Sequence, residues 1–283
     1  MIKIVSDSAS LYSIENGEKK GVAISPIIVT IKDKSYREYE DINTTEFIDI
    51  INEGFLPKSS QPAIGEVLDV YNKYQNDEII NITLADGLSG TYNSACMAKQ
   101  MADKPENITV LNSKTLCGPQ NYLVDLALEL SKNGKSRDEI VAELEETIKS
   151  AKSFLMPHDY DYLVRGGRIS SLAGKIGSVI HLVPVMVLAE DGKSLVKHTT
   201  KRTFKKAMQS ICDVMKNENV NSDWKVYVSH ACIDDLADAA KKIILNNIED
   251  ADIETHVLGP AFTTQGGPGC VAIQYIKKHP ILK

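Results

Sequence analysis

The sequence is poor in the features that commit a chain to metal, redox or nucleotide chemistry. Its five cysteines, Cys96, Cys117, Cys212, Cys232 and Cys270, are scattered, and no two form a CxxC pair. That spacing excludes a zinc ribbon and a disulfide framework, and leaves thiols that serve as small apolar residues. The six histidines, His158, His181, His198, His230, His256 and His279, lie far apart with no HExxH, so no metal site is assigned. No GxGxxG follows the first apolar segment, and Gly266-Gly267-Pro268-Gly269 lacks the Gly-Lys-Ser or Gly-Lys-Thr ending of a Walker A loop. No nicotinamide, flavin or nucleotide cofactor is therefore expected. No apolar run nears the roughly 18 residues of a membrane-spanning helix. With a net charge of -6 the chain has no excess of positive charge for nucleic acid.

What is present is a chain of 283 residues, long enough for two domains with a substantial core. Its start, Met1-Ile2-Lys3-Ile4-Val5, goes straight into a strand pattern without a basic-then-apolar leader, which reads as cytoplasmic. Strand patterns at 2–5, 22–31 (broken at Pro26), 78–84 and 108–111 alternate with helical patterns at about 44–52, 63–74, from 91, 118–130 and 137–152. That alternation implies a parallel sheet with helices on its faces. The character changes near Pro157. A basic double-glycine turn at 162–170, a helical stretch at 170–180 and an apolar run at 183–189 precede Asp191-Gly192, a hairpin turn that returns as a strand at 195–199. A basic-faced helix at 201–216 follows, then strands at 224–229 and 253–258 flanking a helix at 234–245. Gly259 to Cys270 leads into a short helix expected to end near Ile276. The fold class is α/β. An N-terminal domain, 1–157, has a mainly parallel sheet flanked by helices, and a smaller mixed-sheet α/β domain occupies 158–283.

The candidate ligand site is the turn Asp86-Gly87-Leu88-Ser89-Gly90-Thr91, set between a buried strand and a helix. A helix start offers unpaired N–H groups and partial positive charge, so it can hold a carboxylate or phosphate. Ser89 equally suits a helix cap. Ser59-Ser60-Gln61-Pro62 repeats the same chemistry just before the helix at 63–74, and the two could face each other across a cleft. Ser6-Asp7-Ser8 stands at the carboxyl end of the first strand, where open α/β sheets place ligands and where turn chemistry also favours such residues. Arg168 could meet an anion or lie solvated in its loop. The run Lys201 to Lys206 is either a wet helix face or a docking surface for an acidic partner. Gly87-Leu88-Ser89-Gly90 lacks the GxSxG spacing of a nucleophile elbow, and no histidine is placed beside Ser89. Hydroxyl and backbone donors without nucleophile, base or metal favour binding over catalysis, with a serine hydrolase of acyl esters, or another small-molecule enzyme, as the alternative.

Six segments in order resemble the DegV family of bacterial lipid-binding proteins. They are Val5-Ser6-Asp7-Ser8, Ser59-Ser60-Gln61-Pro62, Leu88-Ser89-Gly90-Thr91-Tyr92 with Ser94-Ala95, Asn112-Ser113-Lys114, Gly166-Gly167-Arg168-Ile169 and Gly267-Pro268-Gly269. The resemblance covers essentially the whole chain. It implies a long-chain fatty acid bound between two α/β domains, in a carrier that is not itself an enzyme and needs no further cofactor. It also implies a partner, the ATP-dependent kinase of the bacterial fatty acid kinase, which phosphorylates the bound carboxylate. By motif position the carboxylate would lie near Ser59, Ser60, Ser89, Gly90 and Thr91, with Arg168 and Gln265 in the headgroup network. Where the family has His-Thr-Gly-Pro-Gly, this chain has Gln265-Gly266-Gly267-Pro268-Gly269, so a side chain that cannot titrate replaces the histidine. Ala85 and Asp86 replace a pair of family serines, and an inward Asp86 would weaken anion binding. Ile176, Ile180, Leu182, Val185 and Met186 are candidates to line the tail, although such a run is also ordinary core.

Overall fold

The structure, a computed structural model, describes residues 1–169 and 182–282. Strands β1 (Ile2–Asp7), β2 (Val22–Ser25), β6 (Glu78–Thr83) and β7 (Ile108–Asn112) form a parallel sheet in the order β2-β1-β6-β7. Such strands are covered on both faces, which is why their sequences are rich in isoleucine and valine. Val5 and Ile79 face α3 (Ile64–Lys73) and α4 (Thr91–Met101), in a cluster with Val67, Tyr71, Ala95 and Ala98. Ile4, Ile80 and Ile82 face the opposite way, toward α5 (Cys117–Lys132) and α6 (Arg137–Ile148).

A second sheet contains β8 (Lys152–Met156), β9 (Val183–Leu188), β10 (Leu195–Lys201), β11 (Trp224–His230), β12 (Asp252–Val257) and β13 (Val271–Lys277), in the order β10-β9-β8-β13-β11-β12. It is antiparallel except between β11 and β12. Helices α8 (Phe204–Asn217) and α9 (Asp234–Asn247) cover one face through Met208, Ile211, Met215, Ala240 and Ile244. A third, antiparallel sheet, β4 (Lys34–Arg37), β3 (Ile28–Ile31) and β5 (Lys58–Ser60), packs with α2 (Thr44–Asn52) around Phe47. Among the described residues the remaining α-helices are α1 (Ile14–Lys20), α7 (Tyr160–Gly166) and α10 (Pro260–Gly266).

Several segments differ from expectation. Residues 271–276, expected as a helix, are the inner strand β13, and its residues Val271 to Ile276 are all buried. A short apolar run has no periodicity that separates a buried strand from a buried helix. The helix expected over 137–152 stops at Ile148, and Lys152–Met156 already pairs with β13 and β9. The passage between the two main sheets therefore precedes Lys152, ahead of the change expected near Pro157. Part of the glycine turn at 162–170 is α7, closed by Gly167 at a φ of 68°. The helix expected at 170–180 lies outside the described residues.

Helix α5 joins the sheets, since its cluster holds Ile4 and Ile82 from one side and Tyr227 and Ile276 from the other. Gly118 makes this fit possible. A Cβ there would stand 2.2 Å from Cγ of Tyr227, whose ring is itself buried. Gly118→Ala is expected to destabilise the protein by about 3 kcal/mol through overpacking. The check is a lower urea midpoint at unchanged slope.

Candidate ligand-binding site

A cavity lies beyond the carboxyl ends of β1 and β6, where the three sheets converge. It offers about 120 Å³ that the centre of a water molecule can occupy, within about 980 Å³ of atom-free space. Leu84, Leu88 and Leu116 wall it from the first sheet's loops, and Leu155, Leu163 and Leu195 from the second sheet and α7. Its polar groups form two sets. Ser59, Ser60, Gln61, Ser89, Gly90, Arg168 and Gln265 make up one, and Ser153 and Gln274 the other.

The larger set is assembled from distant segments. Helix α4 starts at Thr91 with Gly90 as its N-cap and no side-chain cap, so Ser89 stands outside the helix. Ser89 Oγ and Thr91 Oγ1 are 2.8 Å apart, and the Thr91 N–H donates to Ser89 Oγ at 3.3 Å. Two hydroxyls that share one hydrogen bond keep one O–H for a ligand. Thr91 itself does not reach the cavity wall. Ser59 and Ser60 lie on β5, not at a helix start; α3 begins only at Ile64. Gln265 Nε2 donates to Ser59 Oγ at 3.0 Å, which leaves the Ser59 hydrogen to point elsewhere. Gln265 Oε1 is buried against Gly166 and has no hydrogen-bond partner among the described residues. Arg168 donates from Nε to the Leu88 carbonyl at 3.1 Å and from Nη1 to the Gly166 carbonyl, so its charge is held at this end.

Asp86 does not face the cavity. It pairs with Lys193 on the β9–β10 hairpin, which approaches so closely that a Cβ on Gly87 would lie 2.1 Å from Lys193 Cα. Burial pushes the Asp86 carboxyl up, but Lys193 and Asn112 outweigh it and hold the group below its usual value. The carboxylate is thus answered by its own cation and does not oppose an anion at Ser89.

Helix α10, which carries Phe262 and Gln265, is fixed by Glu38. That buried carboxyl accepts from the Ala261 N–H at 2.8 Å and from Ser8 Oγ at 2.5 Å, and Ser8 Oγ accepts from the Ile27 N–H. Burial pushes Glu38 up to about 7. Asp7 acts similarly under the β6–α4 turn, accepting from the Leu84 and Ala9 N–H groups and from Gln120 Nε2. Burial raises it to about 6. Sequence reasoning missed Glu38, because nothing local marks a carboxylate whose helix lies more than 200 residues away.

The tail-lining expectations fare differently. Val185 is in the core under α8, and Met186 packs behind Leu163, Leu195 and Leu155 without reaching the cavity. Successive strand residues face opposite ways, which sends this pair to different layers. Leu182 is half-buried and off the wall, and Ile176 and Ile180 lie outside the described residues. The apolar wall comes instead from residues spread between Ile27 and Phe262, leucines foremost among them. Among the described residues that line the cavity none is a histidine, so Ser89 has no base there. Among the described residues no His, Cys, Asp and Glu group could hold a metal ion, and no helix is long and apolar enough to cross a membrane.

Residues 1–278 match the family described as DegV, uncharacterised protein. A DegV domain-containing protein of Staphylococcus aureus is 34% identical over 281 residues, covering 97% of this chain and 98% of its own. Among solved structures, DegV, a fatty acid binding protein from Bacillus subtilis, superposes with a TM-score of 0.86 at 30% identity, over 98% of this chain and 99% of that one. A stearic acid-binding protein from Eubacterium ventriosum gives 0.87 at 28% identity, with the same coverage.

The raised carboxyls make a pH prediction. Glu38 and Asp7 bind protons more tightly folded than unfolded, so their stabilising contribution is full below about pH 4 and is lost as pH rises through 6 and 7. Between about pH 5 and pH 7 Glu38 alone should cost on the order of 2 kcal/mol of unfolding free energy. Glu38→Gln should flatten that decline in urea titrations at the two pH values. An unchanged decline would remove Glu38 as its source.

Proposed function

Because this chain belongs to the DegV family, we propose that it binds a long-chain fatty acid in this cavity and presents the carboxylate, in the cytoplasm, to a separate ATP-dependent kinase that forms the acyl phosphate. The observation that carries the reading is the polarity of the cavity. Leucine walls run inward from a cluster of hydroxyl, amide and guanidinium donors at Ser59, Ser89, Gln265 and Arg168, whereas the Gln274 amide further in is already bonded to Ser153, Leu116 and Gly118. The carboxylate would take the free hydrogens of Ser59 and of the Ser89–Thr91 pair, beside the positive start of α4.

Each end of the ligand has its own energetic part. Burying about ten methylenes at about 0.8 kcal/mol each is worth on the order of 8 kcal/mol. Tail burial therefore sets affinity. The donors offset the desolvation of the carboxylate and fix which way it points. Gln265 does its part without titrating: its amide orients Ser59, so this contact is independent of pH. Chemistry is left to the partner; Ser89 itself has the Thr91 hydroxyl as its hydrogen-bonded neighbour.

Mass spectrometry of organic extracts from the natively folded protein is the test, with a stoichiometric long-chain fatty acid expected. Protein that carries none and takes up none after delipidation would overturn the reading. Ser59→Ala and Ser89→Ala should each weaken fatty-acid binding about tenfold or more, as befits a hydrogen bond to a charged group. Equal affinities in all three proteins would take these hydroxyls out of the headgroup site.

A further inference from the structure

The second polar set stands at the inner end of the cavity. Ala272 and Gln274 line it from alternate positions of β13, Cys270 from the residue just ahead of that strand, and Ser153 and Leu155 from β8. Gln274 is directly opposite Ser153, and Ala272 opposite Leu155, so the wall advances in cross-strand steps. The outer step is marked by Cys270, whose Sγ would lie 2.7 Å from a Cβ on Gly266, the neighbour of Gln265. Gln274 is four residues further along, roughly 13 Å at strand rise. The next residue on that face, Ile276, is packed into the core under α5.

Gln274 is tied down on every side. Its Nε2 donates to Ser153 Oγ at 2.8 Å and to the Leu116 carbonyl at 3.0 Å, and its Oε1 accepts from the Gly118 N–H at 3.3 Å. Both residues are more than nine-tenths buried. Ser153 has a second exposure: it also lines an open groove on the far side, between Thr115, Ala151 and Leu188. The pair is thus the partition between the apolar cavity and that groove.

Resting on the fatty-acid reading above, we infer that Gln274 and Ser153 form the floor that sets the longest acyl chain this protein accepts. A tail that reaches the floor can advance only by pushing Gln274 off the Leu116 carbonyl and the Gly118 N–H. That leaves the buried Gly118 N–H and the part-buried Leu116 carbonyl unpaired, which costs more than one further buried methylene returns. Affinity therefore climbs about fourfold per methylene until the terminal methyl meets the floor, then breaks.

The experiment is a binding series with straight saturated fatty acids from lauric to arachidic acid on the delipidated full chain. The variants alter only Ser153, because removing Gln274 would disturb the start of α5. Ser153→Leu fills the inner end and should move the break to a shorter chain. Ser153→Gly opens the partition and should move it to a longer one, as the tail threads into the groove. Lauric acid, too short to meet the floor, should bind all three proteins alike, which also reports that each variant is folded. A wild-type series without a break, or a break that stays in place in whichever variant binds lauric acid normally, would overturn the floor while leaving fatty-acid binding intact. A wild-type protein that binds no chain of any length would overturn both.

Discussion

One buried carboxylate holds the ligand end of this molecule in place. Glu38 takes the first free N–H of α10 on one oxygen and the Ser8 hydroxyl on the other, and Ser8 in turn takes the Ile27 N–H. The segment after β1, the start of β3 and the helix that brings Phe262 and Gln265 all meet there. A carboxylate suits the positive start of a helix, and Gly259 lets it come close, since a Cβ would lie 2.3 Å from Glu38 Oε1. Burial works against the charged form, hence the raised carboxyl. The site is therefore positioned by an interaction that is not optimal for stability, a common arrangement where geometry matters more than the last few kcal/mol.

Helix α5 supplies the second constraint. It has no side-chain cap, and its first turns are spent on neighbours instead. The Gly118 N–H goes to Gln274, Gln120 to Asp7, and Asn121 to the Ser10 carbonyl. These bonds reach the second sheet and the loop after β1, while Leu116 and Cys117 stand on the cavity wall. The same few residues thus fasten the two main sheets together and shape the space between them. One end of that space keeps free hydroxyl donors, the middle is apolar, and the amide at the other end is bonded within the protein, which suits an amphiphile lying lengthwise with its polar head at the first end.

Legibility followed range. Elements read correctly have local signals: the isoleucine-rich β6, the Ser-Gly-Thr turn that opens α4 and the Asp191-Gly192 hairpin. Misread elements depend on who their neighbours are. Val271 to Ile276 become a strand because β8 and β11 flank them, and Ser59 is extended because β3 pairs with it. The apolar run from Leu182 to Met186 was a reasonable place to look for a tail wall. Strand alternation and a layer of leucines in front of Met186 took it out of reach.

The order of glycines, hydroxyls and apolar runs was enough to establish an α/β chain and its family resemblance, and to single out Ser89 as a candidate, because caps, turns and strand patterns are short-range chemistry. Only the folded chain decided that Asp86 is neutralised by Lys193, that Glu38 anchors α10, and that Gln274 is bonded to Ser153 on the cavity wall. Each of these contacts joins residues more than 100 positions apart. No local pattern encodes such a pairing, since it exists only once the sheets have converged and shut out water.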